Sequence, residues 1–133
     1  MITLSRIDHL VLTVSDVEKT CEFYKRVLSC EIVRYSVDKG DERTALRIGD
    51  SPQKINLHPA AHPFQPAAQM PTPGSADLCF LTSTPIESVI AHFQSLQISI
   101  LEGPIKRTGT LGSILSVYIR DPDGNLIEIA NSL

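Results

Sequence analysis

The sequence lacks any hydrophobic run long enough to cross a lipid bilayer. Its apolar stretches, such as Leu10–Val14, span only a few residues, whereas a membrane-spanning helix needs about 20. The N-terminus also lacks a basic segment followed by an apolar one, which is the pattern of a secretory leader. We therefore expect a cytoplasmic protein with no membrane partner.

The sequence also lacks an excess of positive charge. Its 12 Lys and Arg residues are outnumbered by 15 Asp and Glu residues, so the formal net charge is −3. Nucleic-acid binding usually requires a clustered positive excess. We expect no nucleic-acid partner. The charge is compatible with a small neutral or anionic substrate.

Cysteine is scarce and unpaired in the sequence. Cys21, Cys30 and Cys79 are an odd number, none belongs to a C-x-x-C pair, and each has apolar neighbours. Reactive thiols need an electropositive and accessible setting. We interpret all three as buried small hydrophobic residues.

The composition is that of an ordinary globular domain. The chain has 133 residues, of which 42% are hydrophobic and 20% charged. A domain of this length buries roughly two thirds of its unfolded surface, so it needs neither a metal nor a disulfide to fold. A metal site would therefore serve chemistry.

The first half of the chain reads as a βαβββ module. A β-rich run, Ile7–Val14, is followed by Ser15–Glu18, which fits a helix capping box. The helix should extend to about Leu28. Its core stripe is spaced 4, 3 and 4 residues apart and consists of Val17, Cys21, Tyr24 and Leu28. Three β-prone segments follow, at Glu31–Ser36, Thr44–Ile48 and Lys54–His58.

The second half repeats this order. Asp77–Leu81 is β-prone, and Thr84–Glu87 fits a second capping box with Pro85 at the first helical position. The core stripe of this helix includes Ile86, Ile90 and Phe93. Further β-prone segments lie at Ile98–Leu101, Ser113–Arg120 and Asn125–Ala130, the last two joined by the turn Asp121–Gly124.

The two halves match at a constant offset. The pairs Ser15 and Thr84, Glu18 and Glu87, and Tyr24 and Phe93 are each separated by 69 positions. We predict an α+β fold in which two βαβββ modules in tandem form a curved mixed sheet around a metal or substrate cavity. The predicted single domain, 1–133, comprises module one at 1–58, a connector at 59–75 and module two at 76–133. The connector holds five of the nine prolines and is predicted to be extended, with polyproline character.

Four ionisable side chains fall on the concave face at the first and last strand of each module. Side chains alternate across a strand. If the intervening apolar residues pack on the helices, then His9 and His58 in module one, and Asp77 and Glu128 in module two, face the cavity. Two imidazoles and two carboxylates suit a divalent ion such as Zn²⁺, Ni²⁺, Mn²⁺ or Fe²⁺.

Each of these residues also has an alternative reading without a metal. His9 can be a hydrogen-bonded core residue, His58 a strand-end residue before proline, and Asp77 a strand-start residue that caps local N–H groups. Glu128 is harder to explain in this way. Its apolar flanks make an acid there costly to bury unless it is paired or coordinated.

Three motifs resemble those of the vicinal oxygen chelate superfamily. They are Ile7–Val14, Phe23–Leu28 and Arg120–Glu128, and the resemblance spans Ile7–Ala130. The superfamily includes glyoxalase I, fosfomycin-resistance proteins, bleomycin-binding proteins and extradiol dioxygenases. The chain is most similar to small single-domain glyoxalase-like (lactoylglutathione lyase-like) proteins.

The resemblance implies that His9, His58, Asp77 and Glu128 are metal ligands. Related enzymes usually have Glu or Gln at the position of His58 and His at that of Asp77, so this chain exchanges ligand types between its halves. It also implies an isomerase-type reaction in which a metal polarises two neighbouring oxygens of a hemithioacetal. Glu128 would be the catalytic base, with Asp77 as the alternative.

The resemblance further implies substrate-binding residues. Arg107, Lys54 and Arg47 are candidate contacts for the anionic groups of a glutathione adduct, and Asn56 shares the concave face. Because Gly103–Gly109 contains Gly, Pro and basic residues, we predict a mobile loop that closes over a ligand. A homodimer is expected, since exposed sheet edges favour pairing or module exchange.

Three other functions are compatible with the same pattern. An Fe²⁺ extradiol dioxygenase could use His9, His58 and Glu128, and a fosfomycin-type thiol transferase could use the metal to polarise an epoxide. A non-catalytic drug- or metabolite-binding protein of the bleomycin-resistance type would rely on aromatic stacking. The absence of Trp, with four Phe and three Tyr, disfavours that function.

Overall fold

The computed structural model describes residues 1–38 and 40–133. In chain order the elements are β1 (His9–Val14), α1 (Val17–Leu28), β2 (Glu31–Val37), β3 (Asp41–Arg47), β4 (Lys54–Pro59), β5 (Asp77–Leu81), α2 (Ile86–Ser95), β6 (Glu102–Thr108), β7 (Ser113–Arg120) and β8 (Leu126–Ser132). The order is βαβββ twice, which confirms the predicted α+β class and the tandem modules.

The two modules share one sheet topology. The strand order is β1-β4-β3-β2 in the first four-stranded sheet and β5-β8-β7-β6 in the second. In each, the first and last strands of the module pair in parallel and the other pairs are antiparallel. The chain divides into two compact units, Met1–Pro73 and Gly74–Leu133.

Helix α1 forms where its apolar stripe predicts it. Tyr24 and Val27 are almost fully buried, and Cys21 is buried beside them. The helix begins after Asp16, whose carboxylate accepts a hydrogen bond from the Lys19 N–H at 3.0 Å. The helix cap is therefore Asp16, one residue later than the predicted cap Ser15. Its carboxylate binds the N–H three positions later, which has no carbonyl partner within the helix.

Helix α2 begins differently from the prediction. Pro85 is the residue before the helix, with ψ at 141°, and no side chain caps the first turn. Thr84 as the cap and Pro85 as the first helical residue were both wrong. The extended ψ of Pro85 keeps it outside the helix, and the first helical residue is Ile86.

The start of β6 differs from two predictions. Ile98–Leu101 is not a strand, because Ile98 remains hydrogen-bonded to the end of α2 through Phe93 at 2.9 Å. The strand begins at Glu102, so most of Gly103–Gly109 is β6, paired with β7, and not a loop free to close over a ligand. A register shift interrupts this pairing between Glu102 and Ile105.

The apolar faces of the strands form the core of each unit. In the first unit Leu12, Val14, Ile55 and Leu57 are nearly inaccessible, as the alternation predicts. In the second unit the same holds for Ile127, Ile129, Val117 and Ile119, which pack beside Ile86 and Phe93 of α2.

The cysteines do not share one environment. Cys21 is buried, Cys30 is half-buried and Cys79 is exposed. The prediction of three buried thiols was therefore wrong for Cys79, which lies on the face of β5 opposite the half-buried side chains Leu78 and Phe80. Burial raises the pKa of the Cys30 thiol to about 11, so Cys30 fits the predicted inert role.

Across residues 1–38 and 40–133, no helix is both long and apolar enough to traverse a membrane. The connector between the units contains no strand from Ala60 to Ala76.

A buried amide joins the ends of the paired strands β5 and β8. Asn125 is 1% exposed, and its Nδ2 donates to Asp121 Oδ2 at 2.8 Å. Its Oδ1 accepts a hydrogen bond from the N–H of Ala76 at 2.8 Å, just before β5 begins. Asn125 therefore connects the turn before β8 to the chain before β5.

We expect Asn125→Ala to lower the free energy of unfolding by about 2–4 kcal/mol, because it leaves the Ala76 N–H and the Asp121 carboxylate without this partner. Urea denaturation measures the effect. Gln94→Ala, at an exposed position on α2, is the matched control and should stay within about 0.5 kcal/mol of wild type. Equal midpoints for the two variants would show that Asn125 does not stabilise the fold.

Candidate functional site

His9 lies at the start of β1 with its ring oriented by a neighbouring acid. Its Nδ1 is 2.8 Å from Asp8 Oδ1, and this hydrogen bond is the main reason that the pKa of Asp8 lies below its usual range. An ionised carboxylate only accepts hydrogen bonds, so Nδ1 is the donor and the lone pair of the neutral ring is on Nε2. Many metal-binding histidines are held by a carboxylate in this way.

His58 lies near the end of β4 and is half-buried. Its ring packs edge-on against Phe64, with ring centroids 4.9 Å apart. Burial, with smaller contributions from Arg43 and His9, lowers the pKa of His58. Arg43 stacks on the other ring of this pair, 3.5 Å from the centroid of Phe64.

The two histidines share a face but not a position along the strands. His9 is opposite Lys54 in the β1–β4 pairing, whereas His58 is opposite Thr13. Four residues therefore separate them, or roughly 13 Å along the strands at 3.3 Å per residue. The structure places Asn56 between these levels, where its Oδ1 accepts a hydrogen bond from Tyr35 Oη at 3.3 Å.

Two of the candidate cationic contacts belong to this unit. Lys54 Nζ donates to Tyr35 Oη at 3.3 Å and lies 4.4 Å from the centroid of the Tyr35 ring. Arg47 forms an exposed ion pair with Glu31 at 3.4 Å. Lys54 is therefore part of the same polar group as Asn56, and Arg47 lies at the outer end of the paired strands β2 and β3.

In the second unit, Glu128 occupies the centre of a row that crosses all four strands. Glu102 is opposite Tyr118, Tyr118 is opposite Glu128, and Cys79 is opposite Glu128 on its other side. The row therefore reads Glu102, Tyr118, Glu128, Cys79 from β6 to β5. These side chains lie on the face away from the core residues Ile127 and Ile129.

The carboxylate of Glu128 is half-buried and held in place. Ser116 Oγ donates to Glu128 Oε2 at 2.5 Å, and Cys79 and Tyr118 lie opposite Glu128 on the two neighbouring strands. Partial desolvation of the thiol, which is exposed at one side, and the negative charge of Glu128 raise the pKa of Cys79 to about 11. Cys79 is therefore protonated at neutral pH.

Arg107 extends this group on its other side. Its Nε donates to Tyr118 Oη at 3.1 Å, and Nη2 donates to Glu102 Oε1 at 3.3 Å. The hydrogen bond to Tyr118 is the main cause of the raised pKa of Arg107. Burial raises the pKa of Tyr118, so its hydroxyl stays protonated.

These residues line a cavity of about 820 Å³. Its polar part includes Glu128, Tyr118, Arg107 and Cys79, and the turn between β6 and β7 forms another wall. Asp77 does not line this cavity. It is exposed at the start of β5, opposite Leu126 and two residues before Cys79.

The pairing of the first and last strands shows which residues of the two modules occupy equivalent positions. His9 is opposite Lys54, and Asp77 is opposite Leu126. If His9 and Asp77 correspond, then the counterpart of Glu128 is Asn56, two residues before His58. The offset of 69 aligns the helices, whereas the last strands of the modules are offset by a different number.

Tyr118 and Cys79 on the cavity wall, and Ser116 buried behind Glu128, were not among the predicted site residues. The alternation of Ser113–Arg120 carries a signal for Tyr118, because Val117 and Ile119 flank it as core residues. Ser116 gives no such signal, since it is fully buried and becomes relevant only through its contact with Glu128.

Neither unit alone brings together three or more His, Cys, Asp or Glu side chains in an arrangement that could hold a metal ion, within residues 1–38 and 40–133. The individual donors nevertheless suit a divalent cation. His9 has its Nε2 lone pair available, and Glu128 has one carboxylate oxygen fixed by Ser116.

Several proteins of known sequence or structure are similar to this chain. Over 127 residues the chain is 55% identical to virulence protein STM3117 of Salmonella typhimurium, covering 96% of this chain and 84% of that protein. The crystal structure of that protein superimposes with a TM-score of 0.91, covering 99% of this chain and 100% of that one. The glyoxalase domain-containing protein RDO1 of Mycosarcoma maydis is 45% identical over 130 residues, covering 98% of this chain and 70% of RDO1.

An integron cassette protein from the mobile metagenome of V. cholerae is 46% identical and also superimposes with a TM-score of 0.91, covering 100% of this chain and 99% of that one. The family model described as Glyoxalase/Bleomycin resistance protein/Dioxygenase superfamily matches residues 6–129. With nearly the whole length matched and both βαβββ modules present, the chain belongs to the glyoxalase/bleomycin resistance protein/dioxygenase superfamily.

Proposed function

We propose that the protein is a divalent-metal-dependent enzyme of glyoxalase type that acts on a small substrate with two neighbouring oxygen atoms. The observation that carries the proposal is the position of Glu128. A carboxylate held by Ser116 on the wall of a cavity can both bind a cation and exchange a proton.

His9, Asp77 and Glu128 are the proposed metal ligands, and His58 is the fourth candidate from the sequence. One imidazole and two carboxylates suit Zn²⁺, Ni²⁺, Mn²⁺ or Fe²⁺. When bound, such an ion polarises neighbouring substrate oxygens.

The side chains of the cavity supply the remaining steps. Glu128 accepts a proton from the substrate carbon next to the polarised oxygen and returns it to the neighbouring carbon, which is the proton movement of a hemithioacetal isomerisation. Arg107, fixed by Tyr118 and Glu102, binds negative charge on the substrate. Asp77 is the alternative proton acceptor, since it lies on the strand beside Glu128.

We expect Glu128→Gln to lower metal affinity by on the order of tenfold or more, because the amide keeps the size of the side chain but loses its charge and basicity. Turnover in a screen of hemithioacetals, fosfomycin and catechols should fall with it. Asp77→Asn should have a smaller effect on metal affinity. Metal content and competition titration with Ni²⁺, Zn²⁺, Mn²⁺ and Fe²⁺ provide the measurement.

Glu87→Gln is the matched control, since Glu87 is exposed on the first turn of α2. It should keep wild-type affinity and turnover. A Glu128→Gln protein with full metal occupancy and full activity would place the chemistry elsewhere. Wild-type protein that binds under about 0.2 equivalents of metal on titration would favour sequestration of a drug or metabolite instead.

The strand pairing allows a test of the fourth ligand. Because Asn56 is the register counterpart of Glu128 and His58 lies two residues further along β4, we expect Asn56→Ala to weaken metal binding more than His58→Ala does. The same competition titration compares them. A larger loss for His58→Ala would assign the fourth position to the histidine.

We also propose that the protein is a homodimer. The strands β1 and β2 are the edges of the first sheet, and β5 and β6 are those of the second. Val11 shares its face of β1 with His9, Leu81 shares its face of β5 with Cys79, and the two are 42% and 62% exposed. Sedimentation at micromolar concentration should give about twice the 14.6 kDa of one chain; a single species of one chain's mass would contradict the proposal.

A further inference from the structure

The cavity of the second unit places a cation and an acid on either side of Tyr118. Tyr118 Oη accepts a hydrogen bond from Arg107 Nε at 3.1 Å. Tyr118 and Glu128 are direct neighbours in the β7–β8 pairing. The group suited to bind an anion is therefore next to the group suited to move a proton.

Arg107 is oriented but retains binding capacity. Its contacts with Tyr118 and Glu102 use two of the five N–H donors of a guanidinium. Among the hydrogen bonds of the described residues, the other three donors remain for a ligand. A carboxylate is the planar anion that fits this fork best.

The rest of the cavity wall combines apolar and hydroxyl side chains, and most of its surface is apolar. Four apolar side chains line it: Leu81, Leu111, Ile114 and Leu133. Leu111, at the tip of the turn between β6 and β7, is 100% exposed, and Leu133 is 70% exposed. Contact with an apolar group of a ligand would remove this surface from water, which favours binding.

We propose that the cavity binds a short-chain 2-oxo or 2-hydroxy acid with an apolar side chain. The carboxylate lies at Arg107, the neighbouring oxygen-bearing carbon faces Glu128, and the apolar chain packs against the leucines. The reaction of such an acid in this cavity rests on the proposed function, whereas its binding there does not.

The linkage of Arg107 to Tyr118, which is paired with Glu128, favours this class over glutathione adducts. In a glutathione hemithioacetal the carboxylates are many bonds from the reacting carbons, so the tripeptide would have to fold back on itself to place one at Arg107 while the reacting carbon meets Glu128. In a 2-oxo acid the carboxylate is bonded directly to the oxygen-bearing carbon. The only charged side chains lining the described cavity are Arg107 and Glu128, which also fits a monoanion better than a tripeptide.

Isothermal titration of the full-length protein as purified tests the assignment with four probes. They are 4-methyl-2-oxopentanoate, pyruvate as the same head without the chain, 4-methyl-2-pentanone as the chain without the carboxylate, and S-methylglutathione. We expect 4-methyl-2-oxopentanoate to bind about tenfold or more tightly than each of the others. Equal or tighter binding of pyruvate or S-methylglutathione, or no binding of 4-methyl-2-oxopentanoate, would overturn the proposal.

The charged contact has a matched control on the same strand. Arg107→Gln should weaken binding of 4-methyl-2-oxopentanoate by about tenfold or more, because a charge-assisted contact is lost. Lys106→Gln removes the same charge from an exposed neighbour that does not line the cavity and should stay within about twofold of wild type. If both variants lose the same binding affinity, the effect of Arg107 is one of overall charge and not of a specific contact, which would contradict the proposal.

The apolar contact is tested in the same way. Leu111→Ser should weaken binding of 4-methyl-2-oxopentanoate by about threefold or more and leave pyruvate unchanged. Leu101→Ser, at an exposed leucine outside the cavity lining, should change neither. A Leu111→Ser protein with wild-type preference for the longer probe would contradict the apolar part of the assignment.

Repeating the titrations after treatment with EDTA separates this assignment from the proposed function. If the protein binds no metal but the ratio between wild type and Arg107→Gln persists, the substrate assignment stands and the metal-dependent reaction does not. If metal binds and Arg107→Gln has no effect, the reverse holds.

Discussion

The parallel pairing of the first and last strand in each unit is the constraint on which the candidate site depends. In both units these strands bring side chains of the same parity to the same face, so one alternation decides burial and function together. Ile127 and Ile129 lie in the core because Glu128, between them, lies on the opposite face. Shifting β8 by one residue against its neighbours would bury the acid and expose the two isoleucines.

An acid in such a position must be compensated without losing access to a ligand. Ser116 on β7 donates a hydrogen bond to Glu128, which offsets the cost of partial burial. Tyr118, also on β7, holds Arg107 through its hydroxyl. Three neighbouring strands thus support one polar group on the wall of a cavity whose other surfaces are largely apolar.

The first unit uses the corresponding face differently. Its polar group consists of Tyr35, Lys54 and Asn56, and it contains no acid at the position that matches Glu128. His9 is held from the strand start by Asp8, so the first unit offers an oriented imidazole and the second an oriented carboxylate. Because a shared fold hosts many reactions, these side chains, and not the superfamily as a whole, carry the proposed chemistry.

Much of this architecture could be predicted because it depends on local periodicity. The alternation of Leu12 and Val14, and of Ile127 and Ile129, identified the core faces, and the stripe through Cys21 and Tyr24 identified α1. Both patterns arise from the geometry of a single strand or helix. The turn before β8 was predicted for the same reason, since its residues are close in sequence.

The sequence by itself thus determined the two modules, their core faces and the presence of His9, Asp77 and Glu128 on the opposite faces. Tertiary structure decided the register, which makes Asn56 rather than His58 the counterpart of Glu128. It also decided the start of β6, the hydrogen bond between Arg107 and Tyr118, and the pairing of Tyr118 with Glu128. The physical reason is that register and cross-strand contacts depend on hydrogen bonds between segments far apart in the chain, which periodicity within one segment does not specify.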